Sequence, residues 1–329
     1  MLVCFLDRLE DRIKEFPAQY LPEHQIQLAD GDPGRVSADA EALITWSDLL
    51  DRALLDRLAR LRFVQRIGFY RGGGDLAAAE ERGVATAVWP HGVLNRVAMH
   101  TLMFMVALSR KLLPGHELTI EGVNRIGMEP TFADHRPLAM NWPRVEGVDT
   151  PANKTLGIVG FGEAGACLAR LVRPLDMEVL YYKRSRLSPA QEAFFGIEYT
   201  PLDDLLRQSD FVATFVPYNK ENEKSFGARE FGLMKPTAYF LNTGRANTTD
   251  EAALIDALRS GRIAGAGLDV YSYEPLPADN PLPTFKNVVL TPHNAGGVGG
   301  QHDVFARIAA NLRRIEAGRA PISWGIPPR

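Results

Sequence analysis

A chain of 329 residues is long enough for about two domains, and its 46% hydrophobic content can fill two cores. Its net charge of −3, from 37 basic and 40 acidic residues, lacks the basic excess on which nucleic-acid binding draws. The only cysteines, Cys4 and Cys167, fall in a predicted strand and a predicted helix, and read as small core residues of a reducing compartment.

The N-terminal stretch MLVCFLDRLEDRIKEF has acidic residues by its second turn and no long apolar core ending in a small-residue cleavage site. That argues against a signal peptide and for a cytoplasmic protein. Apolar strands are predicted at 2–6, 42–46, 63–67 and 84–88, separated by amphipathic stretches at 49–61 and 75–82, which together form a small parallel α/β unit. The most apolar segment, 97–113, contains His100, Thr101 and Ser109 and ends in Arg110 and Lys111. It is short for a membrane span and reads as a buried helix. Residues 114–153 carry five prolines and little periodicity, and read as an irregular excursion that joins domains or clasps a partner subunit.

Residues 156–186 then read as a strand, a glycine turn, a helix over 163–172 and a second strand over 177–182. Gly160, Gly162 and Gly165 form G-x-G-x-x-G between strand and helix: a tight turn, close backbone approach to a pyrophosphate, and close helix packing, with the helix N-terminus facing the phosphates. An acidic residue at the end of the second strand would bind a ribose 2′-hydroxyl. Here stand Lys183, Arg184, Ser185 and Arg186, and cations suit a 2′-phosphate, so NADP(H) is expected in preference to NAD(H). Glu163 and Ala164 in the turn, and Pro217, Thr243 and Gly296 farther on, are expected to add cofactor contacts.

Strands follow near 211–216, 238–241, 265–268 and 288–290, with a helix at 250–259, so the second unit reads as a Rossmann sheet. A last helix over 301–317 returns the chain to the first unit. Arg245, Glu274 and His293 each lie just past an apolar strand, toward the carboxyl edge where open α/β sheets bind ligands. A guanidinium can grip the carboxylate of a 2-oxo acid and polarise its carbonyl. An imidazole can supply the proton that must accompany hydride, and a neighbouring carboxylate favours its charged form. The histidines, including His91, His100, His116 and His135, show no ligand spacing with a partner Cys, His or Glu, so no metal is expected.

The segments LGIVGFGEAG, NTGRANTTDEAAL around Arg245, AGLDVYSYEP around Asp269 and Glu274, and LTPHNAGG around His293 occur in an order that resembles the D-isomer-specific 2-hydroxyacid dehydrogenase family over nearly the whole chain. The resemblance implies an α/β fold in which a Rossmann cofactor domain, 97–295, is inserted into a smaller discontinuous flavodoxin-like substrate domain, 1–96 and 296–329. It implies that Arg245 binds substrate, Glu274 tunes the histidine, His293 transfers the proton and Asp269 holds the nicotinamide side. The helix from Val97 resembles the family's dimer-forming helix, which implies a homodimer.

Two segments depart from the family. Where a loop of the form G-x-G-x-D-N-x-D usually receives the substrate carboxylate, this chain has GFYRGGGD, which puts Tyr70, Arg71 and Gly72 in the expected substrate loop and points to a second anionic or polar group on the substrate. PHGVLNRVAMH has Met99 where V-A-E-H has an acid, and its GVLN resembles the G-V-L-T of glyoxylate and hydroxypyruvate reductases. The expected activity is hydride transfer between a nicotinamide and a small 2-oxo or D-2-hydroxy acid of the glyoxylate or hydroxypyruvate kind. A nucleotide-sensing corepressor-like protein, or a formate or phosphite dehydrogenase on the same scaffold, remains compatible with the same motifs.

Overall fold

The structure, a computed structural model, describes residues 1–68, 75–132, 140–297 and 299–325. It separates into two compact units, one of Met1–Arg96, Gly162–Cys167 and Gly296–Arg329, the other of Val97–Phe161 and Leu168–Ala295. In chain order the first half holds β1 (Leu2–Phe5), α1 (Phe16–Tyr20), β2 (Gln25–Leu28), β3 (Ala42–Thr45), α2 (Arg52–Arg57), β4 (Phe63–Ile67), α3 (Leu76–Glu81), β5 (Ala85–Trp89), α4 (Gly92–Ser109) and α5 (Leu112–Ile120). Next come β6 (Thr155–Val159), α6 (Glu163–Val172), β7 (Glu178–Tyr182), α7 (Pro189–Phe195), β8 (Glu198–Tyr199), α8 (Leu202–Gln208) and β9 (Phe211–Thr214). The chain continues through α9 (Ala228–Leu233), β10 (Tyr239–Asn242), α10 (Glu251–Arg259), β11 (Gly265–Leu268), β12 (Val288–Leu290) and α11 (Gly300–Glu316).

In the first unit five parallel strands run β2-β1-β3-β4-β5, the order of flavodoxin-like sheets. Side chains alternate between faces along each strand, so both faces of a parallel sheet need cover. Cys4, Leu43 and Val64 pack on one face with Leu54 and Leu55 of α2 and Leu76 of α3. Phe5, Ile44 and Phe63 pack on the other with Val304, Phe305, Ile308 and Leu312 of α11, so the end of the chain completes the core begun at its start. The edge strand β2 escapes the sequence reading because QIQL is half polar and only partly buried.

In the second unit seven parallel strands run β12-β11-β10-β9-β6-β7-β8. Counted from β6 this is the dinucleotide-binding order 3-2-1-4-5-6 with one further strand, and the winding reverses between β6 and β9. Phe226, Phe231 and Phe240 pack with centroids 4.8–5.2 Å apart in the core beside Val212, Leu254 and Leu268. Helix α5 runs into the stretch expected to be irregular, and it accommodates Pro114 because first-turn N–H groups have no intrahelical acceptor anyway. Residues 140–153 do form turns without helix or strand. Helix α4 has the length and composition to cross a membrane, yet Ala98, Thr101, Phe104, Met105 and Leu108 are buried against protein.

Candidate active site

The glycine turn begins where β6 ends. Gly160 has a φ of +87°, and a Cβ there would lie 2.9 Å from the backbone nitrogen of Val216, so only glycine fits. Its N–H donates to the Tyr182 carbonyl at 2.9 Å, and the Phe215 N–H donates to the Val159 carbonyl at 2.9 Å. The turn is thereby tied to the ends of β7 and β9, where the winding reverses. No heavy atom lies within 4 Å of where a Cβ on Gly162 would stand, so the backbone is open beside the N-terminus of α6. That arrangement fits a pyrophosphate, which needs bare N–H groups at short range.

The basic end of β7 divides into two parts. Lys183 is partly buried, and burial lowers its pKa. Arg184 is exposed and makes no ion pair among the described residues, and Ser185 beside it is exposed. Arg186 is committed elsewhere: it grips the Glu192 carboxylate at 2.8 and 2.9 Å and lies 5.2 Å from the centre of the Tyr199 ring.

Three loops bring Arg245, Glu274 and His293 to the carboxyl ends of β10, β11 and β12, three neighbouring strands. The Arg245 carbonyl accepts from Thr248 Oγ1 at 2.8 Å and from Asn242 Nδ2 at 3.3 Å, while its side chain is exposed and Nη1 donates to the Gly244 carbonyl. Glu274 Oε1 accepts the Tyr271 N–H at 3.1 Å. Its Oε2 lies 2.5 Å from His293 Nδ1. An ionised carboxylate only accepts, so Nδ1 carries the proton of this bond. Nε2 has no partner among the described residues.

Burial pushes the Glu274 carboxyl up. The hydrogen bond from His293, the Tyr271 N–H, and the charges of His293 and Arg245 outweigh burial and hold it below the ordinary carboxylate value. A cavity of about 590 Å³ lies against this pair, walled by Tyr271, Leu276, Leu290 and Pro292. An apolar wall around an acid–base pair limits competing water.

Residues 102–295 match the NAD-binding domain of the D-isomer specific 2-hydroxyacid dehydrogenases. The glyoxylate reductase of Thermococcus gammatolerans is 36% identical over 286 residues, 86% of this chain and 82% of that protein. That of Pyrococcus furiosus is 34% identical over 286 residues, 86% of this chain and 81% of its own. The chain belongs to the D-isomer-specific 2-hydroxyacid dehydrogenases. A crystal structure of a glyoxylate reductase from Paecilomyes thermophila superposes with a TM-score of 0.55 at 25% identity, covering 97% of each chain.

This dehydrogenase is thus an NAD(P)-dependent enzyme of small 2-oxo and 2-hydroxy acids. Its remaining expected site residues are distributed as follows. Asp269 is buried at the end of β11, and its carboxylate accepts the N–H groups of Asn294 and Ala295 at 2.9 and 2.8 Å. Thr243 is buried, with its hydroxyl 2.8 Å from that of Thr101. Pro217 follows β9. Ala164 is buried in the first turn of α6, and Gly165 lies one residue on. Glu163 and Gly296 group with the first unit, where the Glu163 carboxylate accepts the His91 N–H at 2.5 Å and a Cβ on Gly296 would lie 3.1 Å from Val93.

Tyr70, Arg71 and Gly72 lie outside the described residues. The flanks of their loop are held in the first unit: the Gly68 carbonyl accepts from Arg66 Nε at 3.0 Å, and Asp75 caps α3 through the Ala78 N–H at 3.0 Å. Arg66 is buried and also donates to the Ser47 carbonyl at 2.7 Å and to Asp48 at 3.1 Å. Sequence reasoning passed over this arginine because β4 reads as an apolar strand. It also passed over Asn242, whose amide braces the Arg245 loop, and Thr291, which sits two residues before His293 and bonds to Asp269.

Proposed function

We propose that the enzyme is an NADPH-preferring reductase of glyoxylate, hydroxypyruvate or a similar 2-oxo acid, working as a homodimer in the cytoplasm. The observation that carries the chemistry is the 2.5 Å pair of His293 and Glu274, with Nε2 of the imidazole left for substrate. When bound, the nicotinamide supplies the hydride. His293 holds a proton at Nε2 for the carbonyl oxygen, and Glu274 keeps the opposite nitrogen protonated and the ring in place. Arg245 offers its guanidinium to the substrate carboxylate and to charge building on the carbonyl oxygen. In this reading residues 97–295 hold the cofactor, and 1–96 with 296–329 hold the substrate, Tyr70, Arg71 and Gly72 among them.

Glyoxylate as substrate is supported by the names of the Thermococcus and Pyrococcus relatives. The NADPH preference is supported by Lys183 and Arg184. A phosphate dianion beside the partly buried Lys183 would offset the cost that burial imposes on its charge. A homodimer is supported by Met99, Met103 and Val106, which share one exposed face of α4, and by exposed Leu112, Leu113 and Ile120 of α5. A reducing cytoplasm is supported by two buried thiols, that of Cys4 pushed up to about 11 by burial.

Initial rates with glyoxylate, hydroxypyruvate and pyruvate, each with NADPH and NADH, test the proposal. Fastest turnover is expected with NADPH and one of the first two acids. Tight cofactor binding without turnover of any of them would favour a nucleotide sensor, and formate oxidation would favour the small-anion dehydrogenase.

A further inference from the structure

His100 stands on the buried side of α4, and no role in the dyad described above accounts for it. Its side chain is 15% exposed, and Nε2 lies 2.9 Å from Thr291 Oγ1 and 3.7 Å from Asp269 Oδ1. Thr291 Oγ1 in turn lies 2.6 Å from Asp269 Oδ1. A carboxylate only accepts, so the single hydroxyl proton of Thr291 goes to Asp269 and its oxygen is left to accept from His100. That selects the Nε2–H tautomer of His100. Burial lowers the His100 pKa while Asp269 pulls it upward, and the net direction is down, toward this neutral donor.

The same carboxylate ties down the turn that bears His293. Asp269 Oδ1 accepts from Thr291 Oγ1 and from the Asn294 N–H at 2.9 Å, and Oδ2 accepts from the Ala295 N–H at 2.8 Å. These donors bracket His293, which holds a left-handed φ of +50° that a histidine does not choose unaided. The Tyr271 hydroxyl adds a bond to the Thr291 carbonyl at 2.8 Å. The helix reaches this turn because β11 presents Gly267 where Phe104 lies, and His100 packs edge-on against Phe104 with centroids 4.8 Å apart.

We infer that His100 is a positioning residue: its Nε2–H orients the Thr291 hydroxyl onto Asp269 and so fixes the 291–295 turn that presents His293. The inference rests on the reading of His293 as the proton-transferring group. Its reach is through geometry, since a displaced imidazole loses alignment with the carbonyl oxygen.

The test uses the full-length enzyme with NADPH and whichever oxo acid the wild type turns over fastest. His100→Leu removes the donor, His100→Gln keeps an N–H of similar reach, and Thr291→Val removes the relay. Expected are a fall in kcat on the order of tenfold or more for His100→Leu with NADPH affinity retained, and recovery to within about threefold of wild type for His100→Gln. The His100→Leu, Thr291→Val double variant should be no slower than the slower single variant, because both break one chain. Wild-type kcat in His100→Leu, a His100→Gln as slow as His100→Leu with an unchanged melting temperature, or simple additivity would overturn the inference. If the wild type turns over no oxo acid, the substrate reading falls. The His100 inference is then decided by ¹⁵N spectra of histidine-labelled protein at neutral pH, where a neutral Nε2–H tautomer at His100 supports it and an Nδ1–H or charged ring overturns it.

Discussion

The Gly160 N–H donates to the Tyr182 carbonyl at 2.9 Å, so the glycine turn and the basic end of β7 are held side by side. In the proposed reading, a cofactor on this turn with its ribose toward β7 meets Lys183 and Arg184. Replacing both, as Lys183→Asp with Arg184→Ala, should lower the ratio of kcat/KM for NADPH over NADH by roughly a hundredfold or more, since charge-assisted bonds contribute about 1.5–3 kcal/mol each. Arg186→Ala should change the ratio far less, because that guanidinium is held by Glu192. An unchanged ratio in the double variant would sink the phosphate reading.

His293→Ala should lower kcat by about 10²–10⁴-fold while NADPH still binds, measured by fluorescence titration. Glu274→Gln keeps the shape but not the charge opposite Nδ1, and should lower kcat less severely. Comparable kcat in His293→Ala and wild type would remove His293 from the chemistry.

The pH dependence of stability follows from two depressed groups. Glu274 is held below its ordinary value, so its contribution is present above about 4.5 and is lost as pH falls through the lower folded-state value. His100 is held below 6.5, so the unfolded chain takes up its proton first, and stability declines as pH drops beneath 6.5. Urea unfolding should show the wild type losing more stability between neutral pH and mild acid than His100→Gln does. Equal losses would mean that His100 is not held neutral.

Gly267→Ala adds a methyl group 2.6 Å from Phe104 ring carbon, closer than carbon atoms tolerate. Helix α4 must then lift from β11, at a cost of about 1–3 kcal/mol for an overpacked core. Calorimetry should show a lower melting temperature, and kcat should fall along with it as His100 is drawn away from Thr291.

Met99→Glu with Met103→Glu puts two charges on the exposed stripe of α4. If the proposed dimer forms through this face, light scattering should report a dimer for the wild type and a monomer for the variant, because like charges would face each other across a two-fold contact. A dimer of undiminished stability would place the interface elsewhere.

Much of this architecture was legible in one dimension. The strands at 63–67, 265–268 and 288–290 and the helix at 163–172 are local patterns of period and punctuation, and they form as read. Arg245, Glu274 and His293 could be picked out because each follows a strand whose end a parallel sheet aligns with its neighbours. Less legible were β2 and β8, edge strands with little burial to mark them, and α5, where Pro114 looked like a breaker but occupies a first turn.

By itself, then, the order of strands, glycines and polar residues determined the α/β class, the place of the glycine turn and the two members of the His293–Glu274 pair, because those depend on spacing along the chain. Tertiary structure alone decided which polar groups share hydrogen bonds across long separations. His100 and Thr291 are 191 residues apart and meet only because Gly267 lets α4 lie close to β11. Arg186 likewise had the composition of a phosphate ligand until folding placed Glu192 within 2.8 Å of it. A hydrogen bond depends on distance and angle, and only the packing of helix against sheet sets those.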